Sequence, residues 1–568
     1  MKTRSLLVWF PGYPFSPDML LPCRTLAEIA GCLRAAGHHT HIRDYATLDS
    51  LDRLFPSGQR DAARSLAEEA LSFPPRDPFM TLRSAWQVLR AGHAFRIRRA
   101  QVCRDVAAEL AHEADRGLDF IGYYLSTADD AEAAIAIAAQ ARDRSTPGRS
   151  RARSIAIGPF AGLFADMLLQ ATDVFECILA NSNPFTVAEW ADHLRFRPKW
   201  AAIPNLAYRA NGRIRHTPIE PMVPRHVPVA AYETDIYPAL RNGAKFKIFE
   251  LEDSQGGQCT DFSRPPSAPG NGLRTKPVRT LSREIRRLRA LHGARAFHLV
   301  GSESRPAHLL AIATGILRDG LDIHYTCRHR VCEILPSVLH ALRASGCDAI
   351  SFPVDTGSQR LLDNFYGRQV EVTQIEQVLR HSKAAGLFTI ARLTYPCPAD
   401  DRHTLEETLR LLDRTRPDAA PPRFPELVPH SPWHDSAAAF GFITPRSPKA
   451  WLVRRPPFPL PPDRWRVPPV RAASMSPGQS IQANEALRAV IEQRGIPTMG
   501  SETLALVACV LGHGERHAEF SAQVLRSFCT GDAPEIASLI EQFNETSGAA
   551  VAATPFHPDN PDRAVVGD

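Results

Sequence analysis

The stretch Leu118-Asp119-Phe120-Ile121-Gly122-Tyr123-Tyr124-Leu125-Ser126-Thr127 decides the fold class. Its apolar run continues almost unbroken to Tyr124, the pattern of a strand covered on both faces by helices. Ser126 and Thr127 follow at the carboxyl end, and an alanine-rich helical stretch comes next. The same order of buried strand, turn and helix is legible around it. Residues 5–10 predict a first strand closed by Pro11-Gly12-Tyr13-Pro14, residues 26–36 a helix stopped by Gly37, and residues 41–43 a strand ending at Asp44. Residues 154–157 run into Gly158-Pro159-Phe160-Ala161-Gly162, and 174–179 end near Asn181-Ser182-Asn183. Residues 50–114 read as a mainly helical insertion. Parallel strands joined by helical crossovers follow, and such open sheets bind ligands outside the carboxyl ends of their strands.

A proline-rich connection at 218–238 separates this unit from a second one. There, strands at 246–251, 296–300, 323–325, 349–352 and 388–393 alternate with helices at 280–292, 307–318, 335–344, 372–385 and 404–412. The cadence predicts successive β/α units of a barrel, with functional residues at the strands' carboxyl ends. Proline and arginine dominate 445–471, residues 483–539 predict two or three amphipathic helices, and 551–568 read as a polar tail.

A chain of 568 residues is too long for one core. Its net charge of +6 is small, and basic runs such as Arg96-Ile97-Arg98-Arg99 alternate with acidic helices, so a nucleic-acid partner is not expected. No apolar run reaches the roughly 20 residues a membrane span needs. The basic start before Leu6-Leu7-Val8 reads as a strand rather than a signal peptide. Eleven scattered cysteines, an odd number, suit reduced thiols in the cytoplasm.

Several pieces in order carry a resemblance. Leu21-Pro22, Ala35-Ala36-Gly37-His38, Asp44, Ser126-Thr127, the Gly158-Pro159-Phe160-Ala161 loop and Ile203-Pro204-Asn205-Leu206-Ala207-Tyr208 resemble the first domain of the B12-dependent (cobalamin-binding) radical SAM family. Further on, Val354-Asp355-Thr356-Gly357-Ser358, Lys383-Ala384-Ala385-Gly386 and Leu393-Thr394-Tyr395-Pro396 resemble elements of its barrel, so the likeness covers about residues 1–417. It implies an α/β chain with a Rossmann-like cobalamin-binding-type domain at 1–215, a linker at 216–240 and a radical-SAM-type (β/α) partial or complete TIM barrel at 241–445. A small helical region to residue 550 and the tail complete it. The cobalamin candidates it implies are Pro11, Gly12, Ser126, Thr127, Gly158, Pro159, Phe160, Ala161 and Asn181. Phe160 stands where the family's loop has histidine, which removes that residue as an axial ligand. Candidates for S-adenosylmethionine or substrate are Ser254, Gly256, Glu303, Asp355, Ser358 and Tyr395, and His430, Trp433 and His434, where the family ends a barrel strand, are expected to line the pocket.

The family's iron–sulfur cluster needs three cysteine thiolates spaced C-x3-C-x2-C after the first barrel strand. Here that loop reads Glu252-Asp253-Ser254-Gln255-Gly256-Gly257-Gln258-Cys259-Thr260-Asp261-Phe262-Ser263-Arg264, with Gly257, Asp261 and Arg264 in the ligand frame. Glycine offers no donor, arginine repels a metal and aspartate is a hard oxygen ligand. A 4Fe-4S cluster is therefore not expected, and no metal ligands are assigned. A shifted set of Cys259, Cys327 and Cys332 is the alternative, although Cys327 and Cys332 read as core thiols. Three functions remain open: a noncanonical cobalamin-dependent enzyme of methyl or other group transfer in small-molecule biosynthesis, a cobalamin-binding accessory or regulatory subunit of an active radical SAM partner, and an enzyme that has repurposed both pockets. The first needs an external reductase to restore oxidised cobalt.

Overall fold

The computed structural model describes residues 2–12, 15–55, 82–144, 152–179, 183–194, 200–220, 227–256, 261–263, 272–301, 304–331, 334–444, 447 and 470–548. Among them, the first unit is built on seven strands: β1 (Arg4–Trp9), β2 (His39–Asp44), β3 (Phe120–Tyr124), β4 (Arg153–Ile157), β5 (Cys177–Leu179), β6 (Leu206–Ala210) and β7 (Arg213–His216). Their order is β2-β1-β3-β4-β5-β6-β7. The first five run parallel, and β6 and β7 add an antiparallel edge. Helices Arg24–Ala35 and Ala128–Arg144 supply crossovers, and the described part of the helical insertion ends in the helix Leu82–Asp115. The order turns back between β1 and β3, so the loops after β1, β3 and β4 lie side by side at the switch point where α/β sheets take ligands.

The second unit comprises β8 (Ile248–Leu251), a short antiparallel ribbon of β9 (Ser254–Gln255) and β10 (Arg274–Thr275), then β11 (Ala296–Leu299), β12 (His324–Arg328), β13 (Cys347–Asp355), β14 (Phe388–Thr394) and β15 (Pro422–Arg423). Among the described residues, six strands pair in parallel in the order β8-β11-β12-β13-β14-β15, and no pairing joins β15 back to β8. Period-two alternation sorts their side chains. Phe249, Leu251, Phe297 and Leu299 pack outward on Leu281, Ile285, Ile312 and Ile316. Ile248 and Ala296 face inward, as do the polar Glu250 and His298 that continue the alternation.

The C-terminal region departs from the small appendage expected. Four helices are described: Pro477–Gln493, Glu502–Val510, His517–Thr530 and Ala533–Gly548. Leu504, Leu506, Val507 and Phe528 cover the inner apolar face with Ile248 and Ala296, and Ala505 packs on Ala349, Ile390 and Ala419. An incompletely closed parallel sheet leaves an apolar inner face that must be buried, and these helices bury it.

They also reach the first unit, where Thr503 bonds Asp18, and the segment entering β8. Phe246 stacks edge-on to Phe543 at 5.6 Å, and Asn544 both accepts from Lys247 N at 2.8 Å and donates to Lys245 O at 3.0 Å. The proline-rich connection is a packed element as well. Ala231 N bonds Ala27 O at 2.8 Å, and a Cβ on Gly31 would stand 2.3 Å from Val229 O. One apolar cluster consequently runs from Leu7 and Phe120 through Tyr232 and Tyr237 to Phe249 and Ile350. No helix among the described residues is long and apolar enough to cross a membrane.

Candidate functional site

The loops after β1, β3 and β4 meet around a carboxylate that the strand-end pattern does not announce. Asp130, fully buried, accepts from Gly12 N at 2.8 Å, Ser126 N at 2.9 Å, Ser126 Oγ at 2.6 Å and Thr127 N at 3.1 Å. Thr127 caps this helix in turn, its Oγ1 accepting from Asp130 N at 3.2 Å. Four donors on one carboxylate form a strong charge-assisted set. Ser126 and Thr127 thus spend polar groups on holding the rim together. Gly12 is packed so tightly that a Cβ would fall 2.2 Å from Asp129 Cβ. Gly158 has φ +105°, and a Cβ there would stand 2.6 Å from Leu125 O, so only glycine lets the third loop lie this close. Pro11 and Ala161 are buried, Pro159 is exposed, and Phe160 is buried with its ring stacked on Phe164 at 4.5 Å. Asn181 lies outside the described residues.

Facing this rim is the carboxyl-end layer of the second sheet. Arg24, at the start of the first-unit helix, chelates Glu28 at 2.9 Å and reaches Glu252 at 3.3 Å and Glu250 at 3.6 Å. Burial raises the pKa of Glu250 and of Glu252, with Arg24 opposing the shift in both. Glu250 nevertheless keeps 38% of its side-chain surface free, as does Arg328 with 52%. Groups both desolvated and partly open line a recess rather than an outer surface. Across it, Glu502 pairs with Arg328 at 3.1 Å and Arg392 at 3.4 Å, and Thr503 donates to Asp18 of the first unit at 2.5 Å.

The floor of this recess contains His298, whose Nδ1 lies 2.5 Å from Thr326 Oγ1 and whose Nε2 lies 3.1 Å from Thr503 Oγ1. Burial pushes its pKa down to about 4, so it is neutral at pH 7. Because the folded value lies below the unfolded one, its contribution is intact above about 6.5 and is lost as pH falls toward 4, by roughly 3 kcal/mol. Urea unfolding at pH 7 and pH 4 should therefore find wild type losing about that much relative to His298→Gln. An unchanged gap between the two proteins would refute it.

The loop expected to hold a cluster is tied down differently. Asp261 accepts from Ser263 N at 2.9 Å and Ser263 Oγ at 2.6 Å, and pairs with Arg368 at 3.0 Å. Arg368 also pairs with Asp355 at 2.5 Å, and Thr394 donates to Asp355 Oδ1 at 2.7 Å. Phe262 is held by Tyr366 O at 2.8 Å, accepts from Trp433 N at 3.0 Å and presses on Gly367. Trp433, expected to line a pocket, is instead 1% exposed, with its indole donating to Phe365 O at 2.8 Å. Among the described residues no group of His, Cys, Asp or Glu could hold a metal. Cys259 and Cys332 lie outside them, and Cys327 is buried in the outward core, 3.9 Å from Cys347 Sγ. Of the ligand frame, Gly257 and Arg264 also lie outside the described residues, and Asp261, a hard oxygen donor, is committed to Arg368 and Ser263.

The other predicted residues are spread over this layer. Ser254 is 1% exposed and its hydroxyl accepts from Ser304 at 2.9 Å, while Ser304 also bonds Asp253. Gly256 turns at φ +75°, and Glu303 lies outside the described residues. Asp355 holds φ +61°, a strained value for a residue with a Cβ, at the end of β13. Ser358 is fully buried with its hydroxyl unpartnered, and Tyr395 is half-buried, its carbonyl accepting from Asn484 at 2.7 Å.

Sequence reading missed Asp130, Arg24, Glu250 and the Arg328–Glu502–Arg392 group. Thr127-Ala128-Asp129-Asp130 carried a capping spacing that could have found the first. Arg392 inside the apolar Phe388–Thr394 strand was a second signal, since a buried parallel strand rarely tolerates charge.

No family model matches the chain. An uncharacterized methyltransferase of Pyrococcus horikoshii is 22% identical over 270 residues, 46% of this chain. The alignment spans 58% of that relative's length. Among solved structures, the radical S-adenosylmethionine methyltransferase TsrM from Kitasatospora setae, with cobalamin and a 4Fe-4S cluster bound, superposes with a TM-score of 0.60 at 13% identity. That match covers 95% of this chain and 100% of TsrM. The cobalamin-dependent S-adenosylmethionine radical enzyme OxsB, with aqua-cobalamin and S-adenosylmethionine bound, gives a TM-score of 0.53 at 15% identity over 73% of this chain and 52% of its own. The chain has the mixed α/β architecture of these cobalamin-binding radical SAM enzymes.

Proposed function

We propose that this chain is a cobalamin-dependent enzyme of small-molecule biosynthesis, transferring a methyl or similar group by polar chemistry without an iron–sulfur cluster. The observation that carries the reading is the asymmetry between its two sites. The loops carrying Gly12, Ser126 and Thr127 are tied together by Asp130, with Gly158 packed beside Leu125, whereas Asp261 of the cluster frame is committed to the Asp261–Arg368–Asp355 bridge. A rim of small residues and backbone suits a broad planar ligand that must approach the main chain closely. With Phe160 turned into the core, the rim offers no imidazole from that loop as an axial ligand. When bound, cobalamin supplies a cobalt centre able to accept and release an alkyl group in two-electron steps.

The chain's own contribution is positioning and proton holding. Glu250, with its pKa raised by burial, faces the rim from β8, so its carboxyl oxygen holds a proton more readily than an exposed glutamate's. Arg24 restrains that carboxylate and joins the two units. Asp355, Ser358 and Tyr395 are the residues that would contact S-adenosylmethionine if it serves as the group donor. The second reading is an accessory subunit working beside an active partner, which needs no thiolate cluster of its own.

The deciding measurement is reconstitution of the full chain with hydroxocobalamin, with visible spectra and iron and sulfide analysis. Stoichiometric corrinoid without iron is expected, and transfer of labelled methyl from S-adenosylmethionine to the corrinoid separates enzyme from accessory subunit. A reducible iron–sulfur cubane after anaerobic reconstitution, or no corrinoid uptake, would sink the reading.

A further inference from the structure

Three arginines converge on the inner mouth of the second sheet with too little negative charge to balance them. Arg328 ends β12, Arg392 lies in β14 and Arg423 ends β15. Register places Arg328 beside Ser351, Arg392 beside Pro353 and Arg423 beside Thr394, so all three project from the same face. Glu502, at the first turn of its helix, is shared between Arg328 at 3.1 Å and Arg392 at 3.4 Å. The three guanidiniums together hold the Glu502 carboxyl well below the usual range, so it counts as one full negative charge. Asp18 faces the same space, but burial raises its pKa and its Oδ1 is taken by Thr503. Asp355 is committed to Arg368 and Thr394.

Donors are left over. Arg392 Nε and Ser351 Oγ are buried without a hydrogen-bond partner among the described residues, and exposed Arg423 makes no ion pair there. Like charges crowded over one face repel one another, and an anion meeting Arg423 relieves that repulsion. The planar forks of arginine match the paired oxygens of carboxylate and phosphate.

We propose that Arg328, Arg392 and Arg423 form an oxyanion-binding subsite that seats the carboxylate or phosphate of a small anionic substrate over the second sheet. This rests on the reading of the chain as an enzyme and names its substrate class. Glu502 sets the spacing of two of the guanidiniums, and Arg423 is the donor left for the incoming group. Glu250, 3.6 Å from Arg24, also acts on Arg328, so the charge left for an incoming anion sits on Arg423.

The test uses the full chain without cobalamin, so that it is independent of corrinoid binding. Isothermal titration at constant ionic strength would compare pyrophosphate with succinate, on wild type, Arg423→Gln, Arg328→Gln and, as a control, the exposed helix variant Arg283→Gln. At least one probe should bind, and its affinity should fall tenfold or more in Arg423→Gln and in Arg328→Gln but not in Arg283→Gln. Preference for pyrophosphate assigns a phosphate, and preference for succinate a carboxylate. Circular dichroism of each variant checks folding, and Arg423→Lys should recover part of the affinity. No binding of either probe, or binding that Arg423→Gln leaves unchanged in a folded protein, overturns the proposal. Anion binding with failed corrinoid uptake would leave this subsite standing and remove only the cobalamin reading.

Discussion

Replacing Lys245 with methionine is expected to destabilise the chain by about 3–5 kcal/mol, the cost of stranding a buried carboxylate. Lys245 Nζ lies 2.8 Å from Asp44 Oδ2, with both side chains almost free of solvent. Tyr237 donates to the same oxygen at 2.5 Å, and Ala46 N donates to Asp44 Oδ1 at 2.8 Å. Lys245 further donates to Met19 O and Leu21 O, each at 3.3 Å. The group ties β2 of the first unit to the segment entering β8, so its loss should loosen the junction between units. Lys245→Met should lower the urea midpoint markedly, and Lys245→Met combined with Asp44→Leu should recover most of the loss, because a missing pair costs less than half of one. A single variant as stable as wild type would mean that the ion pair contributes nothing at the junction.

Asp130→Ala should have the second large effect. It removes the acceptor for three backbone N–H groups and one hydroxyl at once. Leaving these donors unpaired is expected to cost about 3 kcal/mol or more. The consequence should be local as well as global. Without the carboxylate, the loops after β1 and β3 lose their common anchor, and hydroxocobalamin affinity should drop at least about tenfold, the equivalent of about 1.4 kcal/mol. Asp130→Asn keeps one carbonyl oxygen and should fall between the two. Equal corrinoid affinity in Asp130→Ala and wild type, both folded, would separate the rim from ligand binding.

The strands were legible because a parallel strand buried on both faces writes itself as a short apolar run. The stretch ending at Tyr124 and the run at Phe388–Thr394 are both of this kind. Strand ends proved less informative. Ser126 and Thr127 read as ligand contacts, yet their backbone amides and the Ser126 hydroxyl bond Asp130, whose role depends on Gly12, 118 positions away in sequence. His430, Trp433 and His434 read as pocket lining because they follow the place where the resembled family ends a barrel strand. The indole of Trp433 instead satisfies its N–H on Phe365 O inside an aromatic cluster. The C-terminal helices read as an appendage since amphipathicity tells that a helix buries one face, not which surface it covers.

The order of strands and helices, the boundary of the likeness and the absence of a C-x3-C-x2-C triplet are properties of the sequence alone, since each rests on residues near one another in the chain. Tertiary structure decided which charges meet. The Asp261–Arg368–Asp355 bridge, the Lys245–Asp44 pair and the three arginines around Glu502 join residues from 13 to 201 positions apart, as with Arg368 and Asp355 or Lys245 and Asp44. Local pattern encodes the burial of a face, whereas electrostatic partnership depends on distances of a few ångströms that exist only after the sheets and helices have packed.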